Sequence, residues 1–319
     1  MGSKDGIPTD DLVQPFLIEE LGIRGRIVRL GPLVDRVLTA HAYPEPVSRL
    51  LGEAMALTAM IGSALKFDGR FILQTQSKGP VGMLVADFET PGMMRGYAQM
   101  DEERVAAALA EGRTSPAELM GDGYLALTID QGRDMERYQG IVSIHPDGLS
   151  HSAHEYFASS EQVATRIHLA AGPYYHRAEG TPEKNWRAGA IMIQHIAREG
   201  GLTSFREEND DRPFTDEEEN WNRASILLDT VEDHELLDPS LESNRLLYRL
   251  FHEDGVRAYD PVSLEFACHC SRDRMTSILR SFGSHEIDEM VQEGVITTTC
   301  EFCSEVYVFE PDQLKEGLD

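Results

Sequence analysis

The sequence has few cysteines, few basic residues and no long apolar run. Its 319 residues contain four cysteines, and 29 lysines and arginines stand against 55 acidic residues, for a net charge of −26. Such an acidic protein repels nucleic-acid phosphates, so we expect no nucleic-acid partner. No window reaches the roughly 18 apolar residues that span a bilayer, and residues 1–12 lack the apolar segment of a signal peptide. We therefore expect a cytoplasmic protein with no membrane partner.

All four cysteines lie after residue 267, so most of the chain has no thiol. A disulfide framework would distribute its cysteines along the chain. The clustering instead indicates a local site in a protein of a reducing compartment.

The N-terminal pattern predicts an α+β fold whose core mixes helices with antiparallel sheets. Short strands separated by glycine and proline predict hairpins, and the apolar segment Val47–Leu65 predicts a buried helix. Ser152 and Glu155 have the spacing of a capping box that opens another helix. The predicted strands are 27–30, 71–76, 82–88, 94–99, 124–130, 138–144, 166–171 and 188–194.

Composition divides the chain into three parts: a core at 1–200 that starts with a polar extension at 1–16, an acidic helical linker at 201–260, and a small C-terminal domain at 261–319. Residues 207–260 hold 17 acidic and 5 basic side chains. Thr215 and Glu218 predict a capping box for a helix with an apolar stripe, and a second amphipathic helix follows. Short acidic helices are marginal unless their apolar side is docked.

The C-terminal part contains the pairs Cys268-x-Cys270 and Cys300-x-x-Cys303, the second between two predicted strands. Four thiolates complete a tetrahedral zinc shell, so the spacing predicts one Zn²⁺ per chain. A filled shell has no open position for substrate, which indicates a structural or regulatory site. His269 is interpreted as a spacer between two ligands.

Each cysteine pair also has the spacing to close a disulfide within itself. Structural zinc contributes about 10 to 16 kcal/mol in small metal domains, and whole domains are stable by only about 5 to 15 kcal/mol. Oxidation of the ligands is therefore expected to unfold the C-terminal domain.

The chain resembles the heat shock protein 33 family of bacterial redox-regulated holdase chaperones. The resemblance is carried by the cysteine pairs and by short sequences before and between them, and it runs from about Leu17 to Leu314. The matching residues are 65–71, 138–140, 156–157, 160–162, 165–166, 259–261, 265–266, 268–272, 300 and 303.

The resemblance implies an ATP-independent holdase and not an enzyme. In that family the reduced, zinc-bound form is inactive, and the implied ligands are Cys268, Cys270, Cys300 and Cys303. Oxidation would form the disulfides Cys268–Cys270 and Cys300–Cys303, release zinc and unfold the linker. The exposed apolar surface would then prevent aggregation of unfolding client proteins under oxidative stress. A homodimer when oxidised and transfer of clients to ATP-driven chaperones are also implied.

Four apolar linker residues are the candidates for exposure when the linker unfolds: Trp221, Leu228, Leu247 and Phe251. Apolar stripes bordered by charge can bind unfolded chains and remain soluble. In the reduced state we expect these side chains to be packed. The acidic stretch 206–219 is longer than the family's linker, which predicts a shifted activation threshold.

Three other functions compete with this interpretation. A zinc-ribbon module in transcription or translation is disfavoured because few basic residues lie near the cysteines. A thiol-disulfide oxidoreductase would place Cys300-x-x-Cys303 at a helix N-terminus, and no helical pattern follows it. A hydrolase would need a catalytic motif, and none accompanies the polar residues that lie near one another in sequence. These are His145, His151, His154, His168, Asp130, Asp134 and Asp147, which we interpret as surface or hydrogen-bonded residues.

Overall fold

The structure is a computed structural model that describes residues 10–66, 68–132, 135, 137–178, 181–196 and 215–315. The chain divides into two compact units, Met1–Phe266 and Ala267–Asp319. The N-terminal unit contains two six-stranded sheets, mostly antiparallel, and the C-terminal unit contains a two-stranded sheet with short helices. The predicted α+β class with antiparallel sheets is confirmed.

The first sheet has the strand order β10-β1-β2-β9-β8, and β11 also pairs with β1. All of these pairings are antiparallel. β8 and β9 form a hairpin much longer than the predicted segments 166–171 and 188–194. The strands are β1 (Leu12–Ile18), β2 (Ile23–Leu30), β8 (Thr165–Ala178), β9 (Thr181–His195), β10 (Val256–Ala258) and β11 (Val262–Ser263).

The second sheet has the order β12-β5-β4-β3-β6-β7. Its first strands form the predicted antiparallel hairpins, and β12 pairs in parallel with β5. The strands are β3 (Arg70–Ser77), β4 (Val81–Glu89), β5 (Met93–Met100), β6 (Gly123–Asp130), β7 (Tyr138–Ser143) and β12 (Glu265–Phe266).

The predicted buried helix is α2 (Glu45–Gly62), and it packs against both sheets. A Cβ at Gly52 would lie 2.8 Å from the Ala171 side chain of the first sheet, and one at Gly62 would lie 2.6 Å from Phe88 of the second. These close approaches explain why the helix carries glycine at both positions. Its apolar side chains join the two sheets into one core.

The other core helices are α1 (Pro32–His41), α3 (Glu102–Ala110), α4 (Pro116–Met120) and α5 (Leu149–Tyr156), and a π-helical turn at Phe157–Glu161 follows α5. The predicted capping box of Ser152 and Glu155 is wrong. The helix α5 begins three residues before Ser152, whose buried hydroxyl donates to the carbonyl of Gly148 inside the first turn. Ser152 is therefore a helix-interior residue.

The prediction that residues 1–16 form a polar extension is wrong for Leu12–Phe16, which belong to β1. Leu12, Val13 and Phe16 are buried. Gln14 and Pro15 lie between them in the sequence and interrupt the apolar pattern that would have indicated a strand. Asp11 accepts hydrogen bonds from the backbone of Gly31 and Leu33 and so holds the start of α1. Residues 1–9 lie outside the described residues.

Three helices of the predicted linker pack on the face of the first sheet that is turned away from α2. They are α6 (Asp216–Asp229), α7 (Asp233–Leu237) and α8 (Ser243–Phe251). Along β9, Ala190 and Met192 join the core around α2, and Ile191 and Ile193 join the cluster with the linker helices. This alternation shows that the first sheet is covered on both faces. The predicted capping box of Thr215 and Glu218 is confirmed. The acidic stretch up to residue 214 lies outside the described residues.

The C-terminal unit pairs β13 (Ile296–Thr299) with β14 (Val306–Phe309) in an antiparallel hairpin. Its helices are α9 (Arg272–Leu279), α10 (Ser284–Glu289) and α11 (Pro311–Lys315). The fully buried apolar residues of this unit are few: Leu279, Ile287, Ile296, Phe309 and Leu314.

Candidate metal and redox centre

The structure brings together all four cysteines that the sequence analysis named. Cys268 and Cys270 lie just before α9, whose N-terminus is capped by the Ser271 side chain. Cys300 and Cys303 lie in the turn between β13 and β14, as predicted. The turn is closed by the amide of Cys300, which donates to the Glu305 carbonyl at 2.9 Å.

The four Sγ atoms all lie within 4.8 Å of one another. Cys268 Sγ is 3.7 Å from Cys300 Sγ, and Cys270 Sγ is 3.3 Å from Cys303 Sγ. A tetrahedral site with zinc–sulfur bonds of about 2.3 Å has sulfur–sulfur edges of about 3.8 Å. The four side chains therefore fit a thiolate-bound metal ion after only small movements. These short distances join one cysteine of each pair to one of the other, so distance alone does not select the disulfide partners.

The thiols differ in acidity because their surroundings differ. Burial raises the pKa of Cys268 and Cys303. Burial acts in the same direction on Cys270, but hydrogen bonds from the Tyr307 hydroxyl, at 3.3 Å, and from neighbouring thiols outweigh it and lower its pKa. In the metal-free protein Cys270 thus ionises more readily than Cys268 and Cys303. Tyr307 was missed by the sequence analysis, although its position in β14, close after Cys303, was a usable signal.

The C-terminal unit has too little apolar core to be stable by packing alone. Only five apolar residues form its buried cluster, with a few partly buried neighbours such as Met275 and Tyr307. Units this small usually need a metal or disulfides. The four-thiol cluster is the feature of the described unit that can supply such a cross-link.

The four apolar linker candidates lie where the linker helices meet the first sheet. Leu228, Leu247 and Phe251 are fully buried, and Trp221 is partly buried at the edge of the same cluster. The Phe251 ring stacks on Phe16 of β1 with ring centres 5.9 Å apart. Their packing in the reduced chain agrees with the expectation, and their role toward clients stays a prediction.

Arg29 of β2 ties the sheet to the linker, and the sequence analysis missed it. Its guanidinium donates to the carbonyls of Leu236 and Asp238 at 2.9 and 3.1 Å and to the Leu241 carbonyl at 2.7 Å. The side chain is 1% exposed, and this burial lowers its pKa to about 10. A single arginine within the apolar strand Ile27–Leu30 was the available signal.

Two polar contacts on the surface add to this attachment. Arg166 of β8 makes two 2.8 Å hydrogen bonds to the Asp229 carboxylate at the end of α6. His168 lies 2.9 Å from Asp233 at the start of α7. Both pairs are exposed, so each contributes little to stability on its own.

Residues 256–266, which we call the strap, connect α8 to the start of the cysteine unit. Within the N-terminal unit, β10 and β11 of the strap pair with β1 of the first sheet, and β12 pairs with β5 of the second. The Arg36 guanidinium lies 4.2 Å from the centre of the Phe266 ring. The strap therefore joins the edges of both sheets immediately before Cys268 in sequence.

The polar residues considered for a hydrolase separate into different surroundings. Asp130 pairs with Arg137, and His168 pairs with Asp233. His145, Asp147 and His151 come together, and the ring of His154 lies beside His151. Asp134 lies outside the described residues. None of the helices in the described part of the chain is long and apolar enough to cross a membrane.

Comparison with known proteins identifies the family. The family model described as Hsp33 protein matches residues 11–310. The chain is 45% identical to the 33 kDa chaperonin of Caulobacter vibrioides, with 95% of each chain covered. It is 37% identical to that of Pseudomonas syringae pv. syringae, with 95% of this chain and 92% of the relative covered.

A solved structure agrees with the fold. The crystal structure of the 33 kDa chaperonin of Thermotoga maritima matches with a TM-score of 0.71 at 20% identity, covering 96% of this chain and 97% of that one. At that identity the likeness concerns the fold alone. The match of the family model across nearly the whole chain, with relatives of high coverage and identity, shows that the chain belongs to the Hsp33 family.

Proposed function

We propose that this chain is a redox-regulated, ATP-independent holdase chaperone. The observation that carries the proposal is the four-thiol cluster in a unit with a very small core, next in sequence to helices that cover an apolar sheet face. The names of the relatives, all 33 kDa chaperonins, support the same function. The function is one of binding and not of catalysis.

The switch is a four-cysteine zinc site. Cys268, Cys270, Cys300 and Cys303 would hold one Zn²⁺ in the reduced chain, and when bound the ion supplies the cross-link that the small unit needs. On oxidation, each pair of thiolates gives two electrons to one molecule of hypochlorous acid, one sulfur–sulfur bond forms, the chlorine–oxygen bond breaks, and chloride and hydroxide are released. The expected pairs are Cys268 with Cys270 and Cys300 with Cys303. The thiolates are then no longer available as ligands, and the unit loses its fold.

The linker is the segment that responds. We assign residues 1–200 to the core, 201–260 to the linker and 261–319 to the redox switch, although residues 261–266 at the start of the last part pack in the N-terminal unit as the end of the strap. Loss of structure after Cys268 would leave the strap continuing into an unfolded segment, and its short strands pair with the outer strands of the two sheets. The linker helices are short, and α6 and α7 are also acidic, so they stay folded only while docked.

Release of the linker would uncover the outer face of the first sheet together with the apolar sides of the helices. That face includes Phe16, Ile191 and Ile193, and the helices contribute Trp221 and Phe251. Unfolding client proteins would bind these apolar surfaces. The oxidised chain would act as a homodimer in the cytoplasm and pass clients to ATP-driven chaperones after reduction.

Light scattering from a heat-unfolding client tests the proposal. The protein is added either reduced and zinc-loaded or treated with hypochlorite, and a variant with all four cysteines changed to serine receives the same treatments. We expect the wild type to suppress aggregation only after oxidation, and we expect hypochlorite to leave the activity of the variant unchanged. Equal suppression by both wild-type forms would contradict redox control. Suppression by neither form would favour the zinc-ribbon alternative.

A further inference from the structure

A second group of metal-binding side chains lies in the N-terminal unit, at the start of α5. One ring nitrogen of His145, one of His151 and a carboxylate oxygen of Asp147 all lie within 4.8 Å of one another. The His145 and Asp147 side chains are 32% and 69% exposed. The cluster therefore faces solvent and is accessible to an ion.

The local backbone brings these three side chains together. Gly148 has φ +104°. Glycine adopts this conformation easily, and here it turns the chain from Asp147 into α5. The buried Ser152 hydroxyl accepts the amide of His145 at 2.8 Å and donates to the Gly148 carbonyl. The turn is thus fixed to the helix that carries His151, so the donor atoms are held near one another before any ion binds.

The donor atoms converge on the same place. His145 Nδ1 lies 3.6 Å from a carboxylate oxygen of Asp147. This nitrogen accepts an exposed hydrogen bond from the Asp147 amide at 3.1 Å, which a metal ion bound at Nδ1 would replace. The rings of His145 and His151 stack with centres 4.9 Å apart. His154, beside His151, is not one of the three residues whose donor atoms meet. Its Nε2 accepts a partly buried hydrogen bond from the Ile167 amide at 2.8 Å.

We propose that His145, Asp147 and His151 form a second site for a divalent transition-metal ion, with Zn²⁺ as the probe. Two imidazoles and one carboxylate are a common ligand set for zinc, and water would take the remaining position. Mg²⁺ and Ca²⁺ prefer shells of oxygen and are not expected to bind. Zinc–ligand bonds of about 2.0 to 2.2 Å require the donors to approach by about an ångström, which these solvent-facing side chains can do by small rotations. The proposal does not depend on the function proposed for the cysteines.

Calorimetric titration of the full-length reduced protein, already loaded with one Zn²⁺ per chain, tests the site. We expect a second equivalent of Zn²⁺ to bind and Mg²⁺ not to bind. His151→Ala and Asp147→Asn should each weaken the second binding event by at least about tenfold, because loss of a ligand costs no less than loss of an outer hydrogen bond. His234→Ala is the matched control, since His234 is an exposed histidine 3.1 Å from Glu232.

Nitrogen-15 spectra of the imidazole rings give a second readout. Zinc should shift ring nitrogens of His145 and His151 and leave those of His234 in place. The proposal is overturned if no second equivalent binds, or if it binds equally to the wild type, His151→Ala and Asp147→Asn. The number of zinc ions bound per chain separates the two sites. If the cysteines lose their zinc, the difference in bound zinc between wild type and His151→Ala stays the same.

Discussion

Arg29 is the residue that attaches the linker to the core most directly. Its buried guanidinium donates to three linker carbonyls and has no carboxylate partner among its hydrogen bonds. Hydrogen bonds to a charged group are worth about 1.5 to 3 kcal/mol each when buried, less the cost of burying the charge. The contact consists of hydrogen bonds, so it can break while the apolar surface of the sheet stays intact.

Arg29→Met is expected to weaken linker docking by about 2 to 4 kcal/mol, since three carbonyls lose their donor. The reduced variant should therefore bind more hydrophobic dye than the reduced wild type. Arg24→Met on the same strand is the control, because Arg24 is exposed. Equal dye binding by the two variants would show that the arginine does not hold the linker.

Tyr307 would act on a metal ion bound by the four cysteines through its contact with Cys270. Its hydroxyl donates to the sulfur at 3.3 Å, which stabilises a thiolate. Tyr307→Phe should lower zinc affinity about 10- to 100-fold, as loss of outer hydrogen bonds does in other metal sites. Competition with a chromophoric chelator measures this, with the exposed Tyr248→Phe as control. Unchanged zinc affinity would mean that the hydroxyl has no part in the site.

Glu53 of α2 predicts a pH dependence of stability. Burial, together with nearby Asp233, raises its pKa from 4.5 to about 7, although Arg49 opposes this. Between these values the carboxyl is neutral when folded and ionised when unfolded. The neutral form therefore makes its full contribution to the free energy of unfolding below about pH 4.5. That contribution, about 3 kcal/mol at most, is lost as the pH rises to about 7. Two further titratable groups contact these neighbours: His168 pairs with Asp233, and Glu45 pairs with Arg49.

Glu53→Gln should remove the part of the decline in stability with rising pH that this carboxyl causes, because glutamine resembles the neutral acid. Urea unfolding at pH 5.0 and pH 7.5 measures it, with Glu102→Gln on the exposed side of α3 as the control. If wild type and Glu53→Gln lose the same stability between the two pH values, the buried carboxyl does not titrate as described.

At the scale of elements, α8 shows how short linker helices become stable. Isolated helices of this length are marginally stable. In α8, however, one side is buried through Leu246, Leu247, Leu250 and Phe251. Phe251 also stacks on Phe16 of the sheet. Docking and helix formation are therefore one event, and loss of docking unfolds the helix.

Phe251→Ala should cost about 3 to 5 kcal/mol of linker docking, as expected for a buried aromatic residue. The reduced variant is expected to suppress client aggregation without oxidation, since its linker is already released. Tyr248→Ala is the matched control on the same helix, because Tyr248 is 65% exposed. A reduced Phe251→Ala protein as inactive as wild type would count against control by linker docking.

Local patterns predicted most elements, and their failures have physical reasons. The hairpins, α2 and the capped helix α6 follow from turn residues and apolar spacing. β1 was missed because its pairing with β2, β10 and β11 decides it, and these contacts are distant in sequence. The same holds for the strap, whose short strands carry no periodic signal.

At the scale of the whole molecule, the four cysteines of the cluster were predictable, whereas Tyr307 beside them was missed and the linker attachment was not predictable. Cysteine spacing alone selects four thiols, and the structure brings their sulfurs together. Arg29, by contrast, lies more than 200 residues from the carbonyls it contacts. A buried arginine in an apolar strand indicates that its guanidinium has a hydrogen-bond partner, but it does not identify which residues provide it.

The proposed switch would couple a metal-held unit to a docked apolar face. The first sheet is covered by α2 on one side and by α6, α7 and α8 on the other. The second cover is built of short helices that are marginal without docking, so it is the cover that can leave while the core persists. Redox chemistry at Cys268, Cys270, Cys300 and Cys303 would set whether it leaves.

Hydrogen–deuterium exchange of the full chain, reduced with zinc against oxidised without it, tests this coupling most directly. We predict that amides of α6, α7 and α8 lose their protection on oxidation, and that those of α2 and β4 keep it. Reduction with added zinc should restore the protection. Linker helices that stay protected while the cysteine unit unfolds would contradict the account.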